Sequence, residues 1–421
     1  MDVLLIGGGG REHALAWKLR QSPYLGKLFI APGNAGTLDL GENVAIAPTD
    51  IPALADFARK NEIGLTIVGP DDPLALGIVD EFQKRKLRIF GPTKAAAQIE
   101  ASKAFAKELM REANIPTAAY ATFHDHTPAL AYVRAQGAPI VVKASGLALG
   151  KGVVVCKTIE EAEAALEDMM IKKTLGDAGN EVVIEEYLEG QEISIHALCD
   201  GIDFRMFPSA QDHKRALDGD LGKNTGGMGT IAPVPWVTPE MMYDIERRIV
   251  KPALEAIAYK AGLFTGVLFP GIIMTEGGPK VLEFNARFGD PETQVYMRLL
   301  KTDLLEVLSA AVDKRLGEIQ LEWEPQHAAN IVLASGGYPD AYEKGFEIMG
   351  LDNASRMPEA VVFHAGTALK DDKVLTNGGR VLGVSAIGSP LKRALDRAYQ
   401  AADAIQFEGK HMRRDIGAKS A

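Results

Sequence analysis

Four short apolar runs in the first hundred residues each end on Gly or Pro, with helical spacing between them. Val3-Leu4-Leu5-Ile6 stops at Gly7, Leu28-Phe29-Ile30 stops before Pro32-Gly33-Asn34, Leu65 to Val68 stops at Gly69-Pro70, and Ile89-Phe90 precedes Gly91-Pro92. Between them, His13 to Leu19, Ile51 to Asn61 and Ile78 to Lys84 repeat apolar residues at a helical period. Strand alternating with helix predicts a parallel, Rossmann-like sheet. It accounts for only the first part of 421 residues, a length that suggests about three domains.

The rest of the chain changes style twice. A helical pair from Thr93 to Glu112 is broken at Pro116. Two β-branched runs, Ile140 to Val142 and Val153 to Val155, are joined by the Gly-rich KASGLALGKG, which predicts a flap with a mobile loop. Val182 to Ile184 reads as another strand, Met241 to Tyr259 as one long helix, and Val267 to Met274 with Val281 to Phe284 as a hairpin. Beyond Glu322, short strands alternate with Gly turns and one helix spans Pro390 to Ile405, the pattern of a small α+β domain. The expected units are therefore 1–101, 102–322 (with the flap at about 116–188) and 323–421.

Composition removes several function classes. Net charge is −10 and no long basic run occurs, which argues against nucleic acid as a partner. No apolar run approaches about 18 residues, so a membrane span is not expected, and MDVLLIGGGG does not read as a signal peptide. Two cysteines, Cys156 and Cys199, cannot build a disulfide framework or a four-thiolate zinc site, which fits a cytoplasmic protein. Glycine is over-represented at 43 residues, and Gly-rich turns bring backbone N–H groups near phosphates.

Four segments carry chemistry. Gly7-Gly8-Gly9-Gly10-Arg11-Glu12-His13 follows a strand, but a dinucleotide fingerprint needs a third Gly where Glu12 or His13 stands, and the second strand ends without an acid. The turn could hold a smaller phosphate or no ligand at all. Lys143 to Gly152 has three glycines and two lysines between two strands. Gly152 follows Lys151, so this is not a Walker A loop, yet such a loop can close over a triphosphate. Lys143 should be fixed by its strand. In Glu283-Phe284-Asn285-Ala286-Arg287, strand alternation puts Glu283, Asn285 and Arg287 on one face. Glu and Asn supply hard oxygens suited to Mg²⁺, and Arg287 can neutralise charge on a transferred phosphoryl or acyl group. Finally, Gln211 to Arg215 and Asn224 to Gly229 combine mixed charges with a Gly-rich loop, as a polar substrate site would. His213 lacks partners at zinc-ligand spacing, and no G-x-S-x-G nucleophile motif is present.

Together and in this order, these pieces resemble the ATP-grasp carboxylate–amine ligases, and among them the phosphoribosylamine–glycine ligase family. The resemblance rests on IGGGGREHALAWKL, APGNAGT, VGPDDPL, FGPTKAAAQIEASKAFAKELM, QDHKRALDGD, NTGGMG, LEFNARFGDPETQ, HAGT and GGRVLGV, and covers nearly the whole chain. It implies an α/β and α+β multidomain enzyme: a Rossmann-like domain, a central ATP-grasp domain with a mobile lid, and a small C-terminal domain. It also implies ATP as a substrate with Mg or Mn, and glycine and 5-phosphoribosylamine as the other substrates, in a monomer or weak homodimer. By motif, Lys103 and Lys143 would contact ATP phosphates under a lid including Ser145, Gly146, Gly150, Lys151 and Gly152. Glu185, Glu186, Tyr187 and Leu188 would form the adenine hinge, and Glu192 would contact the ribose. Glu283 and Asn285 would bind metal, Arg287 would stabilise an acyl phosphate, and Asp212, Lys214 and Asp290 would serve glycine and the amine. Three stretches depart from the pattern: Ser145 stands where this family commonly has Asp, Phe269-Pro270-Gly271-Ile272 lacks an acid that related ligases often carry, and NTGGMG continues as Thr230-Ile231-Ala232 rather than Ala-Tyr-Ser. A ligase for another purine intermediate and a non-catalytic nucleotide-binding protein are the other readings. Glycine-dependent activity separates the first, and the presence of Glu283, Asn285 and Arg287 speaks against the second.

Overall fold

The computed structural model describes residues 1–148 and 152–420. The N-terminal strands form a parallel sheet in the order Glu42–Asn43, Leu28–Pro32, Val3–Gly7, Leu65–Val68, Ile89–Phe90. Alternation along the first strand assigns its side chains to two different cores. Leu4 and Ile6 pack with Leu54, Ala58, Ile78 and Phe82 from the sheet's own helices. Val3 and Leu5 pack with Leu15 and Leu19, and also with Tyr296, Leu304 and Leu308 from the central region. The second core thus welds the first unit to the rest of the chain.

The central region contains two antiparallel sheets. In the body sheet, the long strand Thr265–Thr275 pairs with Ala197–Asp200 at its start and Gln191–Ser194 at its end, and with Gly278–Asn285 along its other edge. A bulge between Gly271 and Ile272 bends it. The second sheet, ordered Tyr120–Phe123, Val182–Glu186, Ile140–Ala144, Val153–Cys156, is the expected flap. It has its own core, in which Val142, Cys156 and Ile184 meet Ala129, Val133 and Leu166 from its helices.

Two features differ from the sequence expectations. The helix expected from Met241 to Tyr259 is Pro239–Ile245 and Lys251–Ala261 joined by a wider π-turn at Glu246–Val250. Pro252 lacks the N–H that the α-ladder needs, and the chain widens just before it. In addition, the C-terminal sheet does not respect the boundary drawn at 322. Its order is Gln211–Asp212, Gly229–Ala232, His327–Ala334, Arg380–Gly388, Ala360–His364, so two of its strands come from the central region. Those strands are two and four residues long, too short for a strand period to show in the sequence. Their place in the sheet carries the polar segment at 211–229 to the junction of all three units.

Candidate active site

The strand Gly278–Asn285 organises the site. Phe284 and Ala286 are buried in the core, whereas Glu283, Asn285 and Arg287 are half-buried on the other face. Glu283 lies opposite Gly271 and Asn285 opposite Phe269. Gly271 therefore places no side chain opposite Glu283. Burial pushes the Glu283 carboxyl up, but Lys214, Lys143, Lys103 and Arg287 outweigh burial and hold it below the usual range. It is therefore a carboxylate at neutral pH, surrounded by cations. Among the described residues no cluster of three or more His, Cys, Asp or Glu is arranged to hold a metal. Glu283 and the Asn285 amide oxygen are two hard donors, a set that suits a divalent cation completed by phosphate oxygens and water.

Arg287 is fixed from several sides. Its Nη2 lies 3.0 Å from Glu100 Oε1 and donates to Asn285 Oδ1 at 3.1 Å, while Nη1 donates to the Phe288 carbonyl at 3.2 Å. The second oxygen of Glu100 accepts the Ala286 N–H at 2.8 Å. Glu100 thus clamps both the strand end and the guanidinium. Sequence reasoning passed over it, although it lies in the AAAQIEASK segment that carried the resemblance.

Lys143 is held as its strand position suggested. Its Nζ donates to the Leu282 carbonyl at 2.9 Å and pairs with Glu185 Oε1 at 2.9 Å. The other oxygen of Glu185 pairs with Lys107 at 2.9 Å, and Lys107 also donates to Thr117 Oγ1 at 2.7 Å. Thr117 in turn donates to the Val281 carbonyl at 2.6 Å. This buried chain ties the flap to the strand carrying Glu283. Of the expected hinge residues, Glu185 therefore turns inward between two lysines. Glu186 is exposed, accepting the Ala119 N–H at 3.0 Å and Lys280 at 3.2 Å. Tyr187 is exposed and Leu188 half-buried beyond the strand's end. Lys107 was not anticipated; its four-residue spacing from Lys103 was the available signal.

The Gly-rich segment is used differently at its start from the expectation that its N–H groups face phosphates. Ser145 N–H donates to the Glu181 carbonyl at 2.9 Å and Gly146 N–H to the Ala178 carbonyl at 3.2 Å. The Ser145 hydroxyl accepts the Ala104 N–H at 3.1 Å at the N-terminus of the helix Lys103–Glu112, and Lys103 Nζ donates to the Gly146 carbonyl at 3.2 Å. The start of the loop is packed against 178–181, so its donors are already satisfied. Ala144 N–H donates to the Gly152 carbonyl at 2.8 Å, closing the flap's neck. Gly150 and Lys151 lie outside the described residues.

The N-terminal glycine turn also has a structural explanation. Glu12, 2% exposed, folds back to accept the Gly9 N–H at 2.7 Å and to pair with Arg11 at 2.6 Å. A Cβ on Gly7, whose φ is +120°, would lie 2.6 Å from the Glu12 side chain. The glycine is there to admit Glu12.

On the opposite wall, Asp212 and Lys214 join Glu192, Ser194, Gly271, Leu282 and Glu283 in lining one small cavity. Asp212 Oδ2 lies 3.4 Å from Lys214 Nζ, while its buried Oδ1 has no protein partner. Burial pushes the Asp212 carboxyl up, opposed by Lys214 and assisted by Glu292. Gly227, at φ +109°, packs directly on Asp212 Oδ1. Asp290 accepts from Gln294 Nε2 at 2.9 Å and lies 3.3 Å from Arg380 Nη2. Arg380 also donates to the Asp290 carbonyl at 2.8 Å and to the Gly226 carbonyl. The C-terminal unit therefore contributes a side chain to this region. Glu292, buried and accepting from Ser194 Oγ at 2.7 Å, was likewise unforeseen.

Comparison with known proteins finds matches over almost the full chain. Models of the phosphoribosylglycinamide synthetase N domain, ATP-grasp (A) domain and C domain match residues 1–100, 101–293 and 328–419. A phosphoribosylamine–glycine ligase of Vibrio vulnificus is 51% identical over 420 residues, covering 99% of this chain and 98% of the relative. One from Pseudomonas aeruginosa is 50% identical over 420 residues, covering 99% and 97%. The crystal structure of phosphoribosylamine–glycine ligase from Thermotoga maritima superposes with a TM-score of 0.85 at 34% identity, covering 99% of this chain and 100% of the other. A biotin carboxylase domain from Hydrogenobacter thermophilus, 16% identical with a TM-score of 0.73 and covering 97% and 91%, shares the fold. The chain belongs to the phosphoribosylglycinamide synthetase family.

Proposed function

We propose that this protein joins glycine to 5-phosphoribosylamine at the expense of ATP, giving glycinamide ribonucleotide, ADP and phosphate. The observation that carries this reading is the small cavity lined by Glu283, Asp212 and Lys214, with Lys103, Lys143 and Arg287 close enough to Glu283 to outweigh its burial. These groups would serve a phosphoryl donor, a carboxylate and an amine brought together beside them. Both cysteines are buried, and burial pushes their thiols up, Cys156 to about 11. Neither is a nucleophile, so the substrates do the attacking.

An oxygen of the glycine carboxylate attacks the γ-phosphorus, giving glycyl phosphate and ADP. The amine then attacks the acyl carbon and phosphate leaves. Lys103 and Lys143 hold the ATP phosphates, with Lys143 exchanging Glu185 for phosphate while Lys107 keeps Glu185 neutralised. Residues 185–188 receive the adenine and Glu192 the ribose, and the loop at 145–152 covers the phosphates. Glu283 and Asn285 would hold Mg²⁺ or Mn²⁺, which supplies charge neutralisation at the phosphate oxygens. Arg287, already oriented by Glu100, stabilises charge on the transferred group without reorganising. The free oxygen of Asp212 accepts from the glycine ammonium, and Lys214 and Asp290 orient the amine substrate, so catalysis is largely positioning. Free, buried thiols suit a cytoplasmic enzyme.

The test is ADP release with ATP, metal, glycine and freshly generated phosphoribosylamine, omitting each in turn. ADP formation that requires both glycine and the amine supports the proposal. ATP turnover indifferent to glycine would move the activity to a different carboxylate.

A further inference from the structure

We infer that residues 411–420 are a positioning element of the substrate site, acting through the segment 211–215 that carries Asp212 and Lys214. This rests on the reading that those two side chains face glycine and the amine. Along 211–215 the chain alternates. Asp212 and Lys214 line the cavity, whereas Gln211, His213 and Arg215 are gripped from the other side by the C-terminal segment.

The grip is extensive. Ser420 Oγ donates to Gln211 Oε1 at 2.9 Å, and Gly417 N–H donates to His213 Nε2 at 3.0 Å. Burial, with Arg413 nearby, pushes the His213 imidazole down to about 4, so it is neutral. Its Nδ1, 3.1 Å from the Gly229 carbonyl, carries the proton and leaves Nε2 free to accept. Arg413, 1% exposed, pairs with Asp415 at 2.7 Å and Asp220 at 2.9 Å, and donates to the Arg215 carbonyl at 3.1 Å. Asp415 accepts the Gly219 N–H at 2.8 Å, and Asp218 accepts the Arg414 N–H at 2.8 Å. His411 Nε2 donates to the Ala216 carbonyl at 2.7 Å, and the His411 backbone pairs with Ala334 on the C-terminal sheet.

The segment from 211 to 224 needs such support. It consists of strands of two to four residues, with Leu217 and Leu221 exposed, and a ribbon of that size is marginal alone. Gln211–Asp212 is paired on one edge to Gly229–Ala232, and from His213 to Asp220 the segment is held by the C-terminal residues. Loss of that C-terminal hold displaces Asp212 and Lys214 while leaving the ATP end, anchored by Glu185 and Leu282, in place.

The experiment compares Arg413→Ala, Arg413→Lys and Asp415→Asn with Asp212→Asn in the full chain, measuring KM for glycine, amine and ATP. Arg413→Ala is expected to raise the glycine KM by about tenfold or more while the ATP KM stays within about twofold, since a misplacement near 1 Å can cost about 10²-fold. Arg413→Lys is expected to recover part of the loss. A glycine KM unchanged in Arg413→Ala but raised in Asp212→Asn overturns the inference and leaves the site reading intact. No change in either overturns both, and an equal rise in the ATP KM shows general destabilisation and overturns the inference. If Arg413→Ala does not fold, Asp415→Asn, which keeps the Arg413 contacts to Asp220 and Arg215, decides by the same comparison.

Discussion

Replacing Arg287 with Ala should have two separable effects. The first is chemical. A pre-oriented donor to charge developing in the transition state is worth about 10²–10³ in rate, or about 2.7–4 kcal/mol. The second concerns folding, because Glu100, with only 9% of its side chain exposed, loses the cation 3.0 Å away. Breaking a buried pair from one side costs about 3–5 kcal/mol. Burial already pushes the Glu100 carboxyl up, against the pull of Arg287, so without Arg287 it takes up a proton more readily. The expected loss lies at the lower end of that range. Adding Glu100→Gln removes the stranded charge and should restore most of the stability without restoring the rate. Turnover is read by ADP release at saturating substrates and stability by denaturant unfolding. Turnover of Arg287→Ala within about tenfold of wild type would refute a transition-state role. Recovery of rate along with stability in the double variant would make Arg287 a structural residue.

Three further outcomes are expected. Glu283→Ala should abolish turnover by removing metal anchoring; wild-type turnover in that variant would exclude the metal assignment. Gly227→Ala should raise the glycine KM, because its Cβ would overlap Asp212 Oδ1 and lie 2.5 Å from Pro291 Cδ at a φ of +109°; an unchanged KM would separate Asp212 from glycine. For Lys107, burial opposed by Glu185 lowers the ammonium from 10.5 to about 8. Between those values the unfolded chain holds a proton that the folded chain has lost, so stability should rise with pH across that window, by about 3 kcal/mol in full. Lys107→Met should flatten that rise in unfolding experiments from pH 8 to 10.5; an identical slope would show that Lys107 is not the group responsible.

The parallel sheet and the three active-strand side chains were legible because each obeys one local rule. Short apolar runs ended by Gly or Pro mark the strands, and period two puts Glu283, Asn285 and Arg287 on one face. What escaped was non-local. Gly229–Ala232 becomes a strand by pairing with Gln211–Asp212 on one side and with His327–Ala334, about a hundred residues later, on the other. Glu100 and Lys107 read as ordinary charges on helices until Arg287 and Glu185 are folded against them. Glycine content reports available backbone, not that the Ser145 and Gly146 N–H groups are already claimed by Glu181 and Ala178. At the N-terminal turn, left open between a phosphate and no ligand, Gly7 accommodates the Glu12 side chain.

The most direct measurement is the fate of a carboxylate oxygen. Glycine labelled with ¹⁸O in its carboxylate, turned over with ATP, metal and phosphoribosylamine, should deliver one labelled oxygen to each inorganic phosphate formed. That transfer requires the carboxylate to have attacked the γ-phosphorus before the amine arrived. Unlabelled phosphate, with one labelled oxygen in the amide product and the other lost to water or with both still on unreacted glycine, would contradict activation of glycine at this site.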